Sequence, residues 1–460
     1  MSADAHGSSS PIPFLHVIEH ALHSGHDGAG VHLMARPIII GFVVALVLFL
    51  FISPEQTMRN FNFALFLAPL WMPFILVRYA FLRWVQANKA ANLAKQKYIL
   101  LELRLPRDTM KTPLAMEAVF SNLHQAPGES TWYKRLFLGA VRPWWSFELV
   151  SIGGQVKFYV WTREGFRRLI ESAFYAQYPG MEIIETEDYS RLVDPTDHHW
   201  SMFGAEFTHP SGRPDAYPIK TYVDFGLDRV AKPEEQIDPL AQVLESCGSI
   251  GPGEQMWVQF VIRVSKKEKF GGAKDWKDVG REEIEKIRTE SQIQSEYVDK
   301  ATGEVKKVAG FPSPTEGQKD RIKAIERNIS KLAFDVGIRS IYAAPKDNFQ
   351  GSMITSQLGM FKPFNSETYN SLGPASRLST RFSDWPWEDP GGHHKHHEEH
   401  LAVEMYRRRA FFHDPYEGLW NIMSTEELAT LYHIPSGTVT TPTMPRIQSS
   451  TSEAPFNLPT

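Results

Sequence analysis

The stretch WSFELVSIGGQVKFYVWT, residues 145–162, decides the fold. Two runs that alternate apolar and polar residues flank the pair Gly153-Gly154. Paired glycines readily adopt the positive φ angles of a tight two-residue turn. The pattern therefore predicts a β-hairpin with one face turned toward a core.

The segments on either side of the hairpin predict two more strands and two helices. YILLELRLP at 98–106 and MEIIETE at 181–187 alternate as strands do, whereas 112–125 and 163–179 have apolar residues at helical spacing. The order βαββαβ predicts a ferredoxin-like module at 98–216, with an antiparallel sheet and both helices on one face.

A second module of the same order is predicted at 217–372. Its strands are expected at 219–227, 254–264 and 333–344, and its helices at 238–250 and 349–364. An insertion of mixed charge at about 265–332 predicts a solvated helical excursion, with a partner-docking arm as the alternative.

Residues 373–460 contain little periodic pattern. They predict a histidine-rich loop, a short helix in which Ser424 and Glu427 form a capping box, and an extended tail.

Two charge-free apolar runs precede the modules, Pro37–Pro54 and Phe61–Val77. At about 1.5 Å per residue each approaches the thickness of a bilayer core. They predict a transmembrane hairpin and juxtamembrane helix at 37–97, after an N-terminal tail at 1–36 for which an interfacial helix and a disordered tail are the alternatives. An interfacial second run is the alternative, because it contains Pro69 and Pro73. The predicted fold class is thus α+β, with this hairpin, two ferredoxin-like modules and an extended C-terminal tail.

The basic residues that follow the second apolar run set the expected orientation. Between 78 and 101 the chain has five of them and no acidic residue: Arg78, Arg83, Lys89, Lys95 and Lys97. Basic segments stay on the cytoplasmic side of a membrane. The expected location is the inner (plasma) membrane, with the bulk of the chain in the cytoplasm.

Composition excludes several classes of function. A formal net charge of -4 and a sequence pI near 6.5 argue against a nucleic-acid coat protein, and direct nucleic-acid binding is not indicated. A single cysteine, Cys247, excludes an intramolecular disulfide framework and a cysteine zinc cluster.

The run HHEEH at 396–400 offers the one candidate metal site. His396, Glu399 and His400 have the H-x-x-E-H spacing of inverted zinc peptidases. The preceding WPWEDPGG gives no packed framework for ligands, so the interpretation is a solvated loop without metal. The sequence has no G-x-x-x-x-G-K-[ST] and no G-x-S-x-G motif. No catalytic residue and no cofactor is predicted.

Four stretches resemble a known family: 98–124, 153–162, 172–183 and STEELATLYHIP at 424–435 with the TPTMPR that follows. They are similar to the membrane-anchored N-terminal region of type IV secretion or conjugative DNA-transfer coupling ATPases of candidate-phyla bacteria. In that family a RecA-like motor commonly follows the LATLYHIP-type segment, and here no motor sequence follows it. The resemblance implies an anchor that works with a motor in trans and transfers no catalytic residue.

The sequence therefore predicts a non-enzymatic, membrane-anchored scaffold or accessory subunit of a secretion or DNA-translocation machine. Its expected partners are the membrane, a separate ATPase or other secretion-machine subunits, and further copies of the chain in a homo-oligomer. Residues 424–460 are the expected contact with the ATPase, and the anchor is expected to fold without them. A zinc-dependent membrane peptidase using the HHEEH run and a cell-envelope structural protein are the alternatives.

Overall fold

The computed structural model describes residues 53–105, 111–125, 131–197, 199–210, 212–228, 237–266, 275–298, 305–375, 393–413 and 416–435. The described residues belong to two compact units. One, the helical unit, comprises 53–96 and 131–142. The other, the sheet unit, comprises the remaining described residues.

The helices and strands are numbered in chain order. The helices are α1 (Pro54–Ala94), α2 (Pro113–Leu123), α3 (Trp132–Leu136), α4 (Arg167–Gln177), α5 (Leu240–Gly248), α6 (Trp276–Glu290), α7 (Glu316–Ser330), α8 (Gly351–Gly359), α9 (His393–Arg407) and α10 (Thr425–Leu431). The strands are β1 (Tyr98–Arg104), β2 (Trp144–Ile152), β3 (Gln155–Arg163), β4 (Glu182–Thr186), β5 (Trp200–Thr208), β6 (Gln255–Val264), β7 (Gln292–Val298), β8 (Val305–Pro312), β9 (Ala333–Pro345), β10 (Gly373–Ala375) and β11 (Asn421–Ser424).

One long helix, α1, occupies the described part of the region where the transmembrane hairpin was predicted. The prediction of a hairpin is therefore wrong for these residues. The second apolar run lies inside α1, which begins at Pro54 and bends by 54° between Leu70 and Met72. The bend lies between Pro69 and Pro73. Proline bends a helix because it lacks the N–H of a backbone hydrogen bond and its ring clashes with the preceding turn. Among the described residues no single helix is long and apolar enough to span a bilayer, although the two limbs of α1 together meet that test. The first apolar run lies outside the described residues, except for its last two positions.

One antiparallel sheet of nine strands organises the sheet unit. Its order is β10-β5-β9-β6-β2-β3-β1-β4, and β11 also pairs with β9. The prediction of two ferredoxin-like modules is wrong, because β2 and β6 pair along their whole length, from Trp144 with Arg263 to Ile152 with Gln255. This pairing satisfies backbone groups that two separate modules would leave on open edges.

One face of the sheet carries the main apolar core. Alternate residues of each central strand point to this face, such as Phe147 in β2, Phe260 in β6 and Phe334 in β9. Helices α2, α4, α5 and α10 contribute apolar side chains to the same core. The other face carries the intervening residues, which include Glu148 and Gln259, and is covered by α9 and the segment after it.

The predicted hairpin is confirmed, and its turn depends on glycine. β2 and β3 are joined by Gly153 and Gly154, with φ values of 58° and 87°. A side chain at Gly154 would also lie 3.0 Å from the carbonyl oxygen of Ile250.

The predicted helices at 112–125, 163–179, 238–250 and 349–364 are confirmed within a few residues.

The strand predicted at 219–227 is wrong, and the corresponding strand is β5. Residues 219–227 form turns, held in part by the backbone bond from Leu227 N–H to the Tyr222 carbonyl. β5 pairs with β9 and β10. Both faces of β5 are largely buried, so its sequence lacks the alternation that marks a half-exposed strand.

The insertion at 265–332 contains the predicted helices, α6 and α7, together with a two-stranded sheet of β7 and β8. Ile284 and Ile287 of α6 pack with Ile322 and Ile325 of α7 in a second small core. The capping box of α7, formed by Thr315 and Gln318, fixes where that helix begins.

The short C-terminal helix α10 is buried throughout, which contradicts the expectation that residues 424–460 form a separable contact. Every residue from Thr425 to Leu431 is buried, as are Tyr432 and Ile434. The predicted capping box between Ser424 and Glu427 is confirmed. The described part of this segment therefore belongs to the sheet unit. The extended tail predicted beyond Pro435 lies outside the described residues.

Candidate functional site

The histidine run lies on helix α9, so the solvated-loop interpretation is wrong. Glu399 is buried, and burial raises the pKa of its carboxyl group although the backbone N–H of Met202 favours the charged form. His396 Nδ1 lies 3.8 Å from Glu399 Oε2, and Lys395 Nζ lies 3.9 Å from Glu399 Oε1. In the part of the chain that the structure describes, no group of three or more His, Cys, Asp or Glu side chains could hold a metal ion. The third ligand that a zinc peptidase requires is thus not brought to His396 and His400 there.

A buried ionic network holds the segment after α9 against the face of the sheet opposite the main apolar core. Its centre is Glu148 of β2, which accepts hydrogen bonds from Ser146 Oγ at 2.6 Å, Tyr189 Oη at 2.6 Å and Gln259 Nε2 at 3.1 Å. Arg409 Nε donates to the same carboxylate at 2.9 Å. Neither Glu148 nor Arg409 has any exposed side-chain surface.

Arg409 also binds Asp188 and is held in an unusual backbone conformation. Among the described residues it is the one non-glycine residue with a positive φ, 47°. Burial alone would raise the pKa of Asp188, but the hydrogen bond and charge of Arg409 outweigh burial and lower it. The strain of a left-handed residue is tolerated here because two carboxylates bind its side chain.

Two further ion pairs lie on the same face, and aromatic rings cover them. Arg339 Nη2 lies 2.9 Å from Glu206 Oε1, and Phe411 packs over its guanidinium at 4.7 Å. Arg263 Nε lies 2.7 Å from Asp335 Oδ2. Gly337 makes room for Phe411, because a Cβ there would lie 2.3 Å from the ring. These pairs are buried, so removal of one partner would leave an uncompensated buried charge and destabilise the fold.

No sequence motif marks this network. Its charged members are single residues on β2, β5, β6 and β9 and in two connecting segments, separated by up to 261 positions. One signal was present: Glu148 and Gln259 are polar residues near the middle of two largely apolar strands, at positions that face away from the main core. Only strand pairing identifies their partners.

A second buried polar cluster surrounds α10 and includes a histidine. His433 Nε2 lies 3.0 Å from Asp238 Oδ2, and its Nδ1 lies 2.9 Å from the Ala429 carbonyl. Both ring nitrogens therefore face acceptors, as in a protonated imidazole. Burial lowers the pKa of His433, but the charge and hydrogen bond of Asp238 outweigh it, and the net shift is upward. Burial raises the pKa of Glu427 to about 8, although the backbone N–H groups of Ser424 and Ile219 bond to its carboxylate.

We expect His433 and Glu427 to make the free energy of unfolding fall as the pH rises above about 4.5. A raised folded-state pKa of His433 stabilises the fold below the ordinary value near 6.5, and this contribution is lost above the raised value. Protonated Glu427 contributes in the same direction, and its contribution is lost between about 4.5 and about 8. Chemical denaturation at a series of pH values measures the slope. His433→Gln and Glu427→Gln should each flatten it, and an unchanged slope in both variants would contradict the assignment.

The helical unit has many large apolar side chains that are exposed to solvent rather than packed in a core. The large apolar side chains of α1 are exposed on all sides of the helix, including Phe66 at 79%, Leu70 at 70% and Phe74 at 74%. Burying one such side chain is worth about 1.5–3 kcal/mol. A helix that is apolar all round is stable only in an apolar environment. Residues 61–84 of α1 therefore form the candidate functional site, the apolar segment.

Basic residues begin in the C-terminal part of the apolar segment and continue along α1. Arg78 and Arg83 lie within the segment, Lys89 and Lys95 come after it, and 78–101 contains no acidic residue. Exposed Tyr79 and Trp84 lie at the transition from apolar to basic sequence. The guanidinium of Arg83 packs over the Tyr79 ring at 5.2 Å, and its Nε donates to the Tyr79 hydroxyl at 3.0 Å. This order matches the succession of acyl chains, interface and anionic headgroups in a bilayer leaflet.

A comparison with known families shows where the chain belongs. A family model described as a domain of unknown function, DUF8128, matches residues 84–446. The match includes the nine-stranded sheet and begins at the C-terminal end of the apolar segment. No curated protein matches the sequence significantly. The chain belongs to the DUF8128 family.

Proposed function

We propose that this chain is a non-enzymatic scaffold attached to the cytoplasmic side of an inner (plasma) membrane through the apolar segment. The observation that carries the proposal is the exposure of apolar side chains on every side of residues 61–84. The basic residues that follow support attachment to a leaflet with anionic lipids. The buried ionic network and the buried helix α10 hold the sheet unit as a rigid platform for other subunits.

The proposed partner is a separate ATPase or another subunit of a type IV secretion-like translocation machine. Its support is the sequence resemblance of 98–124 and 424–435 to the anchors of coupling ATPases. Residues 424–435 are buried, so the contact with such a partner must use another surface of the sheet unit. Membrane attachment and the ATPase partner are separate parts of the proposal, and each has its own measurement.

We expect the full-length protein to sediment with membranes and to resist extraction by high salt, because apolar contacts do not weaken with ionic strength. A variant with Phe66→Ser, Leu70→Ser, Phe74→Ser and Val77→Ser should move to the soluble fraction, since each substitution removes an exposed apolar side chain from α1. Fractionation followed by immunoblotting measures the distribution, and circular dichroism checks that the variant is folded.

The matched control replaces exposed apolar residues of the sheet unit, Leu192→Ser and Ile237→Ser, which are 59% and 74% exposed. This variant should remain with the membranes. Wild-type protein in the soluble fraction would overturn membrane attachment. Nucleotide hydrolysis that copurifies with the detergent-extracted protein tests the partner, and its absence would remove the ATPase from the proposal.

A further inference from the structure

A short turn in the helical unit exposes an unusual number of large apolar side chains. The sequence TWYKRLFLG at 131–139 contains the five-residue helix α3. Trp132, Tyr133, Phe137 and Leu138 are 63%, 52%, 44% and 52% exposed. Exposed apolar residues on soluble proteins are usually scattered singly, whereas a contiguous patch marks a contact surface.

Side-chain amides of α1 hold this turn by donating to its backbone carbonyls. Asn88 Nδ2 donates to the Leu136 carbonyl at 3.3 Å, and Asn92 Nδ2 donates to the Leu138 carbonyl at 3.1 Å. Gly139 has a φ of 61°, and a Cβ there would lie 2.2 Å from the Asn88 carbonyl oxygen. The turn therefore approaches α1 so closely that only glycine fits at position 139.

The exposed rings of the turn and of α1 form one cluster. Phe137 contacts Trp84 edge-on with ring centroids 5.1 Å apart, and Tyr133 stacks on Phe137 at 5.2 Å. Trp132 lies 5.8 Å from Phe137, and Phe81 lies 5.9 Å from Trp84. We name these five rings the aromatic cluster. It is continuous with the apolar segment, because Phe81 and Trp84 belong to both.

The charge around the aromatic cluster is basic. Lys134 and Arg135 lie between its aromatic residues in the turn, and no acidic residue occurs from 131 to 147. Arg83 and Lys89 lie nearby in the sequence of α1. Tryptophan and tyrosine concentrate at the membrane–water interface, where the ring is apolar and its polar atom stays hydrated. Lysine and arginine beside them attract anionic headgroups.

We propose that the aromatic cluster is a second lipid-binding element that lies in the headgroup region of an anionic bilayer. This inference rests on the proposed membrane attachment through α1. It assigns a role to residues 131–138, which the apolar segment does not include. Anionic lipid is the occupant because the cluster combines continuity with the apolar segment and two basic residues, Lys134 and Arg135, among its aromatic residues.

A fluorescent probe on the turn tests the inference, because the one native cysteine, Cys247, is fully buried. Leu138→Cys in the full-length protein is labelled with an environment-sensitive dye and mixed with vesicles of phosphatidylcholine, with or without phosphatidylglycerol. We expect a blue shift and quenching by brominated lipid, stronger with phosphatidylglycerol. The matched control is Leu192→Cys on the sheet unit, which should show neither change.

A charge variant provides the second measurement. Lys134→Gln with Arg135→Gln should weaken flotation with the phosphatidylglycerol vesicles about tenfold and leave binding to phosphatidylcholine alone nearly unchanged, because each basic residue contributes at an anionic surface. If the protein floats with vesicles but the Leu138 probe stays in water and the charge variant behaves as wild type, the inference is wrong and membrane attachment stands. If the protein floats with neither vesicle, the proposed attachment itself fails.

Discussion

A stop codon after Ile422 should abolish folding of the sheet unit. It removes the end of β11 and all of α10, together with the fully buried side chains of Leu428, Leu431 and Tyr432. Loss of one such side chain costs about 2–5 kcal/mol, and a whole domain is stable by only about 5–15 kcal/mol. The summed loss for the three side chains, about 6–15 kcal/mol, is as large as the total stability.

The same truncation breaks polar contacts that span the unit. Glu427 Oε1 accepts the backbone N–H of Ile219 at 3.0 Å, and Glu426 Oε1 accepts Thr221 Oγ1 at 2.7 Å. Without Glu427 the buried N–H of Ile219 loses this acceptor, which adds to the loss, whereas Thr221 Oγ1 keeps Asp224 Oδ2 as an acceptor at 3.1 Å. Limited proteolysis and circular dichroism of the purified protein measure the outcome.

A stop codon after Pro435 is the control, because it retains β11, α10 and the residues that follow α10 in the core. We expect that protein to resist proteolysis as the full chain does. A protease-resistant sheet unit in the Ile422 truncation would show that α10 is dispensable and would restore residues 424–435 as a candidate partner contact.

Arg409→Met should lower the free energy of unfolding by about 3–5 kcal/mol, because it leaves the buried carboxylate of Glu148 without its counter-charge. Asp188 loses the same partner. Methionine retains much of the side-chain volume, so the expected loss is electrostatic rather than a cavity effect. Chemical denaturation followed by tryptophan fluorescence measures the change.

The adjacent residue provides a matched control. Arg408 pairs with Glu404 at 2.7 Å on the surface, and its side chain is 58% exposed. Surface pairs of this kind contribute about 0–1 kcal/mol, so Arg408→Met should change the stability little. Equal effects of the two substitutions would mean that the buried network does not hold the segment after α9 to the sheet.

The apolar segment could be recognised from sequence, whereas the aromatic cluster could not. Residues 61–77 contain no charge, and this property is independent of tertiary structure. Residues 131–139 show no period that marks a surface, and their role emerges only when Gly139 brings the turn against Asn88. Trp84 and Phe137 are far apart in the sequence, so no local pattern predicts that their ring centroids lie 5.1 Å apart.

By itself the sequence determined the local elements: the hairpin at Gly153-Gly154, the capping box of Ser424 and Glu427, and most strands and helices. Each depends on short-range patterns, namely φ preference, side-chain capping and apolar period. The tertiary structure alone decided that β2 pairs with β6 in one sheet. It also decided that the histidine run is helical where it packs on β5, and that Arg409 forms an ion pair with Glu148. The reason is that pairing and burial bring together residues far apart in the chain, and no local pattern specifies which edge or charge will be the partner.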